Sequence, residues 1–194
     1  SGKAFSGSEA ITQQAFNLNN GGIAFEGKFS FPSTQAGMIL GFFAFQQFDE
    51  GVKRNPHDEL DFEILTAELS KISTNVFLAA ENSANFPISA PMIGDFADMH
   101  TYRMEWLPGM VRWFVDGNLI RTDTEHVPVN PMQLHINIWG VPGSAAVSRD
   151  GQWLESVGDS LGPKLGDPAF VPPSGAAGNQ TYYFDVSAVR VYQL

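Results

Sequence analysis

Apolar and polar residues alternate one by one along most of this chain, and this period of two limits the fold more than any other feature. In AFEGKFSF (24–31), three phenylalanines share one face, while a glutamate, a lysine and a serine share the other. ISTNVFLA (72–79) alternates too, and QLHINIW (133–139) puts three aliphatic residues on one side. Because side chains alternate across a strand, this pattern predicts strands with one buried and one polar face.

Turn signals separate these strands at short intervals. MILGFFAF (38–45) is a continuous apolar run, which is typical of a strand covered on both faces. HTYRMEWLPGMVRWFVDGNLIRT (100–122) contains three strand-like pieces joined at Pro108-Gly109 and Asp116-Gly117. YYFDVSAVRVYQL (182–194) closes the chain with a final strand. Many short strands with an aromatic-rich face favour an all-β fold of two antiparallel sheets, packed as a sandwich or jelly roll.

The length predicts a single domain over residues 1–194, large enough for a substantial core. The region 140–180 differs, since it is rich in Gly, Pro, Ser and Ala with weak periodicity, and we expect a long irregular loop there. No apolar run approaches the roughly 18 residues of a membrane span, so no span is expected. The first residues also lack the pattern of a signal peptide.

Charge and cysteine content exclude several classes of function. The chain has 21 acidic and 11 basic residues, so nucleic acid is not an expected partner, because phosphate binding requires clustered Lys and Arg. A neutral ligand remains open. The absence of cysteine excludes disulfides, thiol nucleophiles and thiolate metal sites. The four histidines are not spaced as a metal cluster, so no metal ligands are predicted.

The segment HDELDFEIL (57–65) places carboxylates at every second position, Glu59, Asp61 and Glu63. Like charges on one face repel, so some must hold protons or find partners. One interpretation is the solvated outer face of an edge strand. The other is a pair of carboxyl groups whose pKa values are pushed apart, as glycosidic bond cleavage requires. Apolar flanking residues indicate a central strand and favour the second interpretation.

The spacing sets a condition on this strand. Four steps of about 3.3 Å separate the backbones of Glu59 and Glu63 by about 13 Å. A retaining glycosidase requires carboxyl groups about 5–5.5 Å apart. The strand must therefore curve so that the two long side chains lean together over a concave face. The shorter Asp61 suits a middle role, hydrogen-bonded to one neighbour.

The pentapeptide ELDFE resembles the E-x-D-x-E signature of glycoside hydrolase family 16, which includes lichenases, laminarinases, agarases and xyloglucan-modifying enzymes. Four more segments resemble that family in the family's order: GGIAFEGKFSFP (21–32), the hairpin region 100–122, NIWG (137–140) and DVSAVRVYQ (185–193). The resemblance extends from about Gly7 to Gln193, interrupted over 140–180. It implies a concanavalin A-like jelly-roll sandwich of two antiparallel sheets with a concave substrate cleft.

The resemblance also implies a role for each carboxylate. Glu59 takes the position of the nucleophile that forms a glycosyl-enzyme intermediate, and Glu63 that of the general acid and later base. Asp61 takes the helper position between them. The expected activity is that of a retaining endo-glycosidase on a β-linked polysaccharide, with β-1,3 or β-1,3/1,4-glucan as the expected substrate. No cofactor is required by such chemistry.

Seven further residues fall at substrate-binding positions of the family: Glu9, Phe45, His57, Asn75, Phe77, Asn137 and Trp139. His57 stands where lichenases have a Trp, so an aromatic platform is lost or replaced by an imidazole. Phe43 fits the core and the cleft equally well. Trp106 and Trp113 lie on aliphatic faces and are interpreted as packing residues, and His100 as a structural hydrogen-bonding group. His135 remains unassigned.

Compared with the family, the N-terminal strands are shortened, which implies a smaller sandwich, a more open cleft, or a processed or partnered chain. The family's calcium site combines backbone carbonyls of that segment with an Asp at the position of Asp185, so calcium is expected to be weak or absent. A carbohydrate-binding lectin-like module and a transglycosylase remain alternative functions. Retention of all three carboxylates argues against the first. Because the expected substrate is a polysaccharide, the protein is expected to be secreted or extracellular.

Overall fold

The computed structural model describes residues 8–18, 21–32, 38–46, 56–66, 68–140 and 182–194. Within these ranges the chain forms strands and a short 3-10 helix over Ala79–Glu81. The strands are β1 Ser8–Ile11, β2 Ile23–Ser30, β3 Met38–Phe45, β4 Glu59–Leu65, β5 Lys71–Leu78, β6 Ala84–Asn85, β7 Ile88–Pro91, β8 His100–Leu107, β9 Met110–Val115, β10 Asn118–Asp123, β11 Gln133–Gly140 and β12 Asp185–Gln193. The irregular loop predicted over 140–180 falls, from residue 141 onward, outside the described residues.

The strands form two antiparallel sheets. The larger sheet has the order β1-β11-β3-β4-β5-β6, with β7 also paired to β5, and the smaller has the order β10-β9-β8-β2-β12. The predicted all-β class with two antiparallel sheets is therefore confirmed. β4 pairs with β3 on one side and β5 on the other, so the carboxylate strand is central, as its apolar flanks indicated.

Aromatic rings fill the space between the two sheets. Phe29 of β2 stacks on Tyr102 of β8 with ring centroids 4.0 Å apart. Across the sandwich, Phe29 meets Phe42 of β3 edge-on at 5.6 Å, and Phe62 of β4 meets Tyr102 edge-on at 5.7 Å. Such edge-to-face pairs stabilise a core beyond the burial of their area. The apolar side of β4 is therefore packed against the opposite sheet.

Both hairpin tryptophans are packing residues, as predicted. Trp106 and Trp113 are fully buried. The indole N–H of Trp113 donates to the backbone carbonyl of Asp61 at 3.0 Å. This bond fixes the backbone of β4 at Asp61, the middle carboxylate.

The two turn signals of the hairpin region are confirmed. Gly109 has φ +75° between β8 and β9, and Asp116 and Gly117 have φ +49° and +79° between β9 and β10. His100 Nδ1 lies 2.6 Å from Asp116 Oδ2, and its Nε2 lies 2.9 Å from the carbonyl of Asp95. The structural role predicted for His100 is thus confirmed.

Candidate active site

β4 presents Glu59, Asp61 and Glu63 on the outer face of the larger sheet, while the apolar residues between them enter the core. The three carboxylates differ in exposure, since Asp61 is buried and the two glutamates are half-buried. The neighbours across the sheet are Phe45 and Phe77 beside Glu59, Phe43 and Asn75 beside Asp61, and Gly41 and Ser73 beside Glu63. The carboxylate row therefore has an aromatic end at Glu59 and small neighbours at Glu63.

The middle carboxyl group is buried between two other carboxyl groups. Burial raises the pKa of Asp61 well above its usual range, and the negative charges of Glu59 and Glu63 raise it further. A hydrogen bond to Glu59 acts in the same direction, against a smaller opposing effect of Arg121. These effects favour the protonated form of Asp61, which donates to a Glu59 oxygen. This arrangement matches the middle role expected from the shorter side chain.

Replacing Asp61 with asparagine should remove part of the pH dependence of stability. A carboxyl group whose pKa is raised on folding stabilises the fold fully below its unfolded pKa of about 3.9, and this contribution is lost as the pH rises toward the raised value. Between about pH 4 and about pH 8, the free energy of unfolding should therefore fall less in Asp61→Asn than in the wild type. Urea unfolding at both pH values measures the difference. Equal pH slopes for the two proteins would contradict the assignment.

His57 lies at the aromatic end of the carboxylate row. Its Nε2 is 3.0 Å from Glu59 Oε2. The imidazole ring is 5.0 Å from the ring of Phe45 and 5.2 Å from that of Phe77, measured between centroids. The structure thus brings three of the predicted substrate-binding residues together around Glu59.

Strand β11 and edge strand β1 bring a second group of predicted residues to the same face. Glu9 is opposite Asn137 in the strand register, and the Asn137 amide donates to Glu9 Oε1 at 3.4 Å. The same Glu9 oxygen lies 3.1 Å from His135 Nδ1, and the His135 ring stacks on Phe43 at 4.8 Å. Phe43, which fitted core and cleft equally, is half-buried on the carboxylate side. Trp139 is half-buried and follows Asn137 on this face of β11.

Asn75 occupies the site face but is itself buried. Its Oδ1 accepts hydrogen bonds from the backbone N–H groups of Val76 at 2.9 Å and Phe86 at 3.0 Å. The side chain therefore fixes the chain where β5 leads into β6. It lies directly beside Asp61 in the register, so it also helps to enclose that buried carboxyl group.

His135 is the residue of this site that the sequence left unassigned. It shares its face of β11 with Asn137 and Trp139, so the alternation that placed those two residues already contained the signal. Ser83, whose hydroxyl oxygen lies 3.0 Å from His57 Nδ1, had no such signal. Its position depends on the turn after β5, which the sequence pattern does not specify.

The described residues contain no group of three or more His, Cys, Asp or Glu side chains placed to hold a metal ion. Asp185 is exposed at the start of β12, opposite Ser30. Calcium takes about six to eight oxygen ligands, so a single carboxylate does not make a site. The calcium expectation stays a prediction. None of the helices described reaches the length and hydrophobicity that spanning a membrane requires.

Known proteins resemble this chain in sequence. A family model described as "Glycosyl hydrolases family 16" matches residues 3–155. A β-glucanase of Bacillus amyloliquefaciens is 31% identical over 113 residues, which cover 58% of this chain and 45% of that protein. An endo-1,3-1,4-β-glycanase of Rhizobium meliloti (strain 1021) is 30% identical over 89 residues, which cover 45% of this chain and 33% of that protein. The chain thus spans less than half the length of these curated relatives.

A solved structure extends the likeness over nearly the whole chain. The β-glucanase of Bacillus licheniformis superposes with a TM-score of 0.68, at 23% identity, over 96% of this chain and 71% of that chain. At this identity the likeness concerns the fold. The jelly-roll sandwich expected from the sequence is therefore confirmed.

Proposed function

The chain belongs to family 16 of the glycosyl hydrolases, and from this premise we propose that it is a retaining endo-glycosidase acting on a neutral β-1,3 or β-1,3/1,4-glucan. The observation that carries the proposal is the row of three carboxyl groups on the central strand β4, with Asp61 buried and Glu59 and Glu63 half-buried on either side of it. A retaining enzyme uses one carboxylate as nucleophile and one carboxyl group as acid beside the same sugar, and Glu59 and Glu63 provide this pair. Because such polymers lie outside cells, extracellular action is part of the proposal.

In the proposed mechanism, a Glu59 oxygen attacks the anomeric carbon and the bond to the leaving oxygen breaks. Glu63 gives its proton to that leaving oxygen. Water then attacks the glycosyl-enzyme from the side of Glu63, which takes the water's proton and releases Glu59. Asp61 keeps its hydrogen bond to Glu59 and orients the attacking oxygen.

Two observations support a neutral glucan as the substrate. The curated relatives carry the names β-glucanase and endo-1,3-1,4-β-glycanase. The chain itself has a net charge of -10, which disfavours polyanionic polymers. Aromatic rings beside Glu59 and the amide of Asn137 provide the stacking and hydrogen bonding that sugars require.

Activity can be tested by reducing-sugar release from barley β-glucan, laminarin, xyloglucan and agarose, with NMR of the first product formed. We expect release from barley β-glucan or laminarin, with the new reducing end appearing first as the β anomer. Initial formation of the α anomer would contradict a retaining mechanism. Binding without release would contradict hydrolysis, and products longer than the substrate would indicate transfer to a second sugar.

Gly41 should affect substrate binding through Asn137. A Cβ at Gly41 would lie 2.6 Å from Asn137 Oδ1, closer than real side-chain contacts allow. The same Cβ would lie 3.1 Å from two ring carbons of Phe43, so Gly41→Ala should displace the Asn137 amide and shift the Phe43 ring slightly. We expect KM for the glucan to rise by about 3- to 10-fold, as for the loss of one hydrogen bond.

Asn137→Ala provides the matched comparison for this prediction. Both variants remove the amide from the same position, so their effects on KM should not add in the double variant. Full additivity would show that Gly41 acts elsewhere. Urea unfolding of all three variants checks that the fold is retained.

A further inference from the structure

The ring of His57 is held in place on three sides. Phe45 and Phe77 lie on either side of it, with interplanar angles of 45° and 29°. Nε2 lies 3.0 Å from Glu59 Oε2, and the two side chains are only 17% and 16% exposed. The imidazole is therefore an oriented partner of the proposed nucleophile.

Glu59 and Ser83 together determine which nitrogen of His57 carries the hydrogen. The backbone N–H of His57 donates to Ser83 Oγ at 2.8 Å. The same Oγ lies 3.0 Å from His57 Nδ1. The Glu59 carboxylate, 3.0 Å from Nε2, can only accept when ionised, so Nε2 carries a hydrogen and donates it. In a neutral imidazole Nδ1 is then an acceptor, and the Ser83 hydroxyl can donate to it while its oxygen accepts from the backbone.

Ser83 has a backbone conformation that serine rarely adopts. Its φ is +59°, in the left-handed region, and it follows Asn82 at +56°, a residue type that enters this region more readily. The turn is closed by backbone bonds from Ser83 N–H to Leu78 O at 2.9 Å and from Asn82 N–H to Ala79 O at 3.1 Å. A glycine at position 83 would avoid the conformational cost but would lack the hydroxyl. Strain of this kind clusters at functional sites.

We propose that Ser83, His57 and Glu59 form a hydrogen-bonded relay in which His57 is a positioning residue for the nucleophile. This inference rests on the proposed glycosidase function. Ser83 helps to fix the tautomer, and His57 delivers one N–H to Glu59 Oε2. The bond stabilises the carboxylate form of Glu59 more than its glycosyl ester, so it assists release of the sugar as well as orientation.

The charged and titratable groups around the relay are contributed by several strands. On β4, Asp61 also hydrogen-bonds to Glu59, and Glu63 lies two positions further along. The ring of His135, on β11, lies edge-on to the ring of Phe45, with centroids 5.7 Å apart. Among the described residues, Asp61 on the same strand and the His57 imidazole both hydrogen-bond to Glu59. Removal of His57 leaves the Asp61 donor in place, so loss of the relay should weaken catalysis without abolishing it.

The tautomer can be measured directly, without any substrate. In protein labelled with ¹⁵N-histidine, two-bond N–H correlations distinguish the Nε2–H form, the Nδ1–H form and the imidazolium ion. We expect the His57 signal, identified by its loss in His57→Gln, to show the Nε2–H form at about pH 7.5. This pH lies above the ordinary histidine pKa of about 6.5. Ser83→Ala should convert it to a mixture of tautomers. An Nδ1–H form or an imidazolium ion in the wild type would overturn the relay.

Kinetics of Ser83→Ala and Ser83→Gly then test the role in catalysis. Both remove the hydroxyl, but only glycine relieves the backbone, so a common effect belongs to the hydroxyl. We expect kcat on the preferred glucan to fall by about 10-fold in both, as for the loss of about one hydrogen bond, with KM within about twofold. Ser187→Ala, at an exposed position of β12, is the control for loss of a serine hydroxyl.

The pH profile separates positioning from packing. The acidic limb of kcat/KM should move to higher pH in His57→Leu, because a carboxylate that loses a donor holds its proton more strongly. His57→Gln, which keeps a side-chain N–H donor, should recover part of kcat. A rise in KM with an unmoved acidic limb would overturn the relay and leave His57 as a stacking surface. Absence of wild-type activity on every glucan would refute the proposed function, whereas the tautomer measurement would still test the relay's geometry.

Discussion

Replacing Glu59 with glutamine is expected to lower hydrolysis by on the order of 10⁴-fold or more, as for removal of a nucleophile, without lowering the unfolding midpoint. The amide has the size of the carboxylate but cannot form the glycosyl ester. The backbone pairing of Glu59 with Phe45 and Phe77 is untouched, and one negative charge leaves a crowded acidic row. Reducing-sugar release and urea unfolding of the same preparation measure both effects. Unchanged turnover would remove Glu59 from the mechanism.

Chemical rescue can distinguish the two glutamates. Azide can enter the space left by Glu59→Gly and attack an activated aryl β-glycoside from the nucleophile's side, which yields an α-glycosyl azide. In Glu63→Ala, azide instead attacks the glycosyl-enzyme from the opposite side and yields the β product. The anomer seen by NMR therefore assigns each residue. The reverse pattern would exchange the two roles, and rescue of neither would reject the double-displacement mechanism.

Replacing Asp58 with alanine is expected to cost about 3–5 kcal/mol of stability, because several buried hydrogen-bond donors lose their acceptor at about 1–3 kcal/mol each. The Asp58 side chain is 1% exposed. Its Oδ1 accepts from the backbone N–H of Ala79 at 2.7 Å. Its Oδ2 accepts from the backbone N–H groups of Val129 and Asn130, both at 2.8 Å, and from the Asn130 amide at 3.0 Å. Alanine leaves all of these donors without their acceptor.

Urea unfolding of Asp58→Ala beside Asp98→Ala measures this cost. Asp98 is exposed, and its loss should change stability by less than about 0.5 kcal/mol. A loss below about 1 kcal/mol in Asp58→Ala would contradict the structural role, because a single buried unsatisfied donor already costs that much. Asp58 is adjacent to Glu59 in the sequence, so the result also separates a structural carboxylate from the three on the site face.

Local patterns predicted the strands of this fold because alternation is a property of neighbouring residues. Glu59, Asp61 and Glu63 occupy every second position, so alternation alone predicted that they share one face of a strand. The function of Asp58 could not be predicted in this way, since its partner Asn130 is 72 positions away. The contact between Glu9 and His135 spans 126 positions. Such pairs depend on the order of strands in the sheet, which alternation does not encode.

Arg121 illustrates a second limit of prediction from local sequence patterns. An arginine in the polar hairpin end DGNLIRT would be placed at the surface, yet its side chain is buried between the sheets. The guanidinium donates to the carbonyl and hydroxyl oxygens of Thr74 at 3.0 and 3.1 Å and lies 4.5 Å over the ring of Trp113. Asp123 pairs with it at 2.8 Å. A buried cation of this kind requires tertiary partners that no local pattern reveals.

The carboxylates lie on an interior strand whose backbone is hydrogen-bonded to a neighbouring strand on each side. The indole N–H of Trp113 also donates to this backbone at Asp61. Amide groups of such a strand exchange their hydrogens with solvent only when the whole sheet opens, whereas β1 at the sheet edge can fray independently. The reacting groups therefore lie in a slowly exchanging part of the described fold. Heat would disable catalysis by melting the entire sandwich, and fluctuations of the edge strands would leave the geometry of the carboxylates intact.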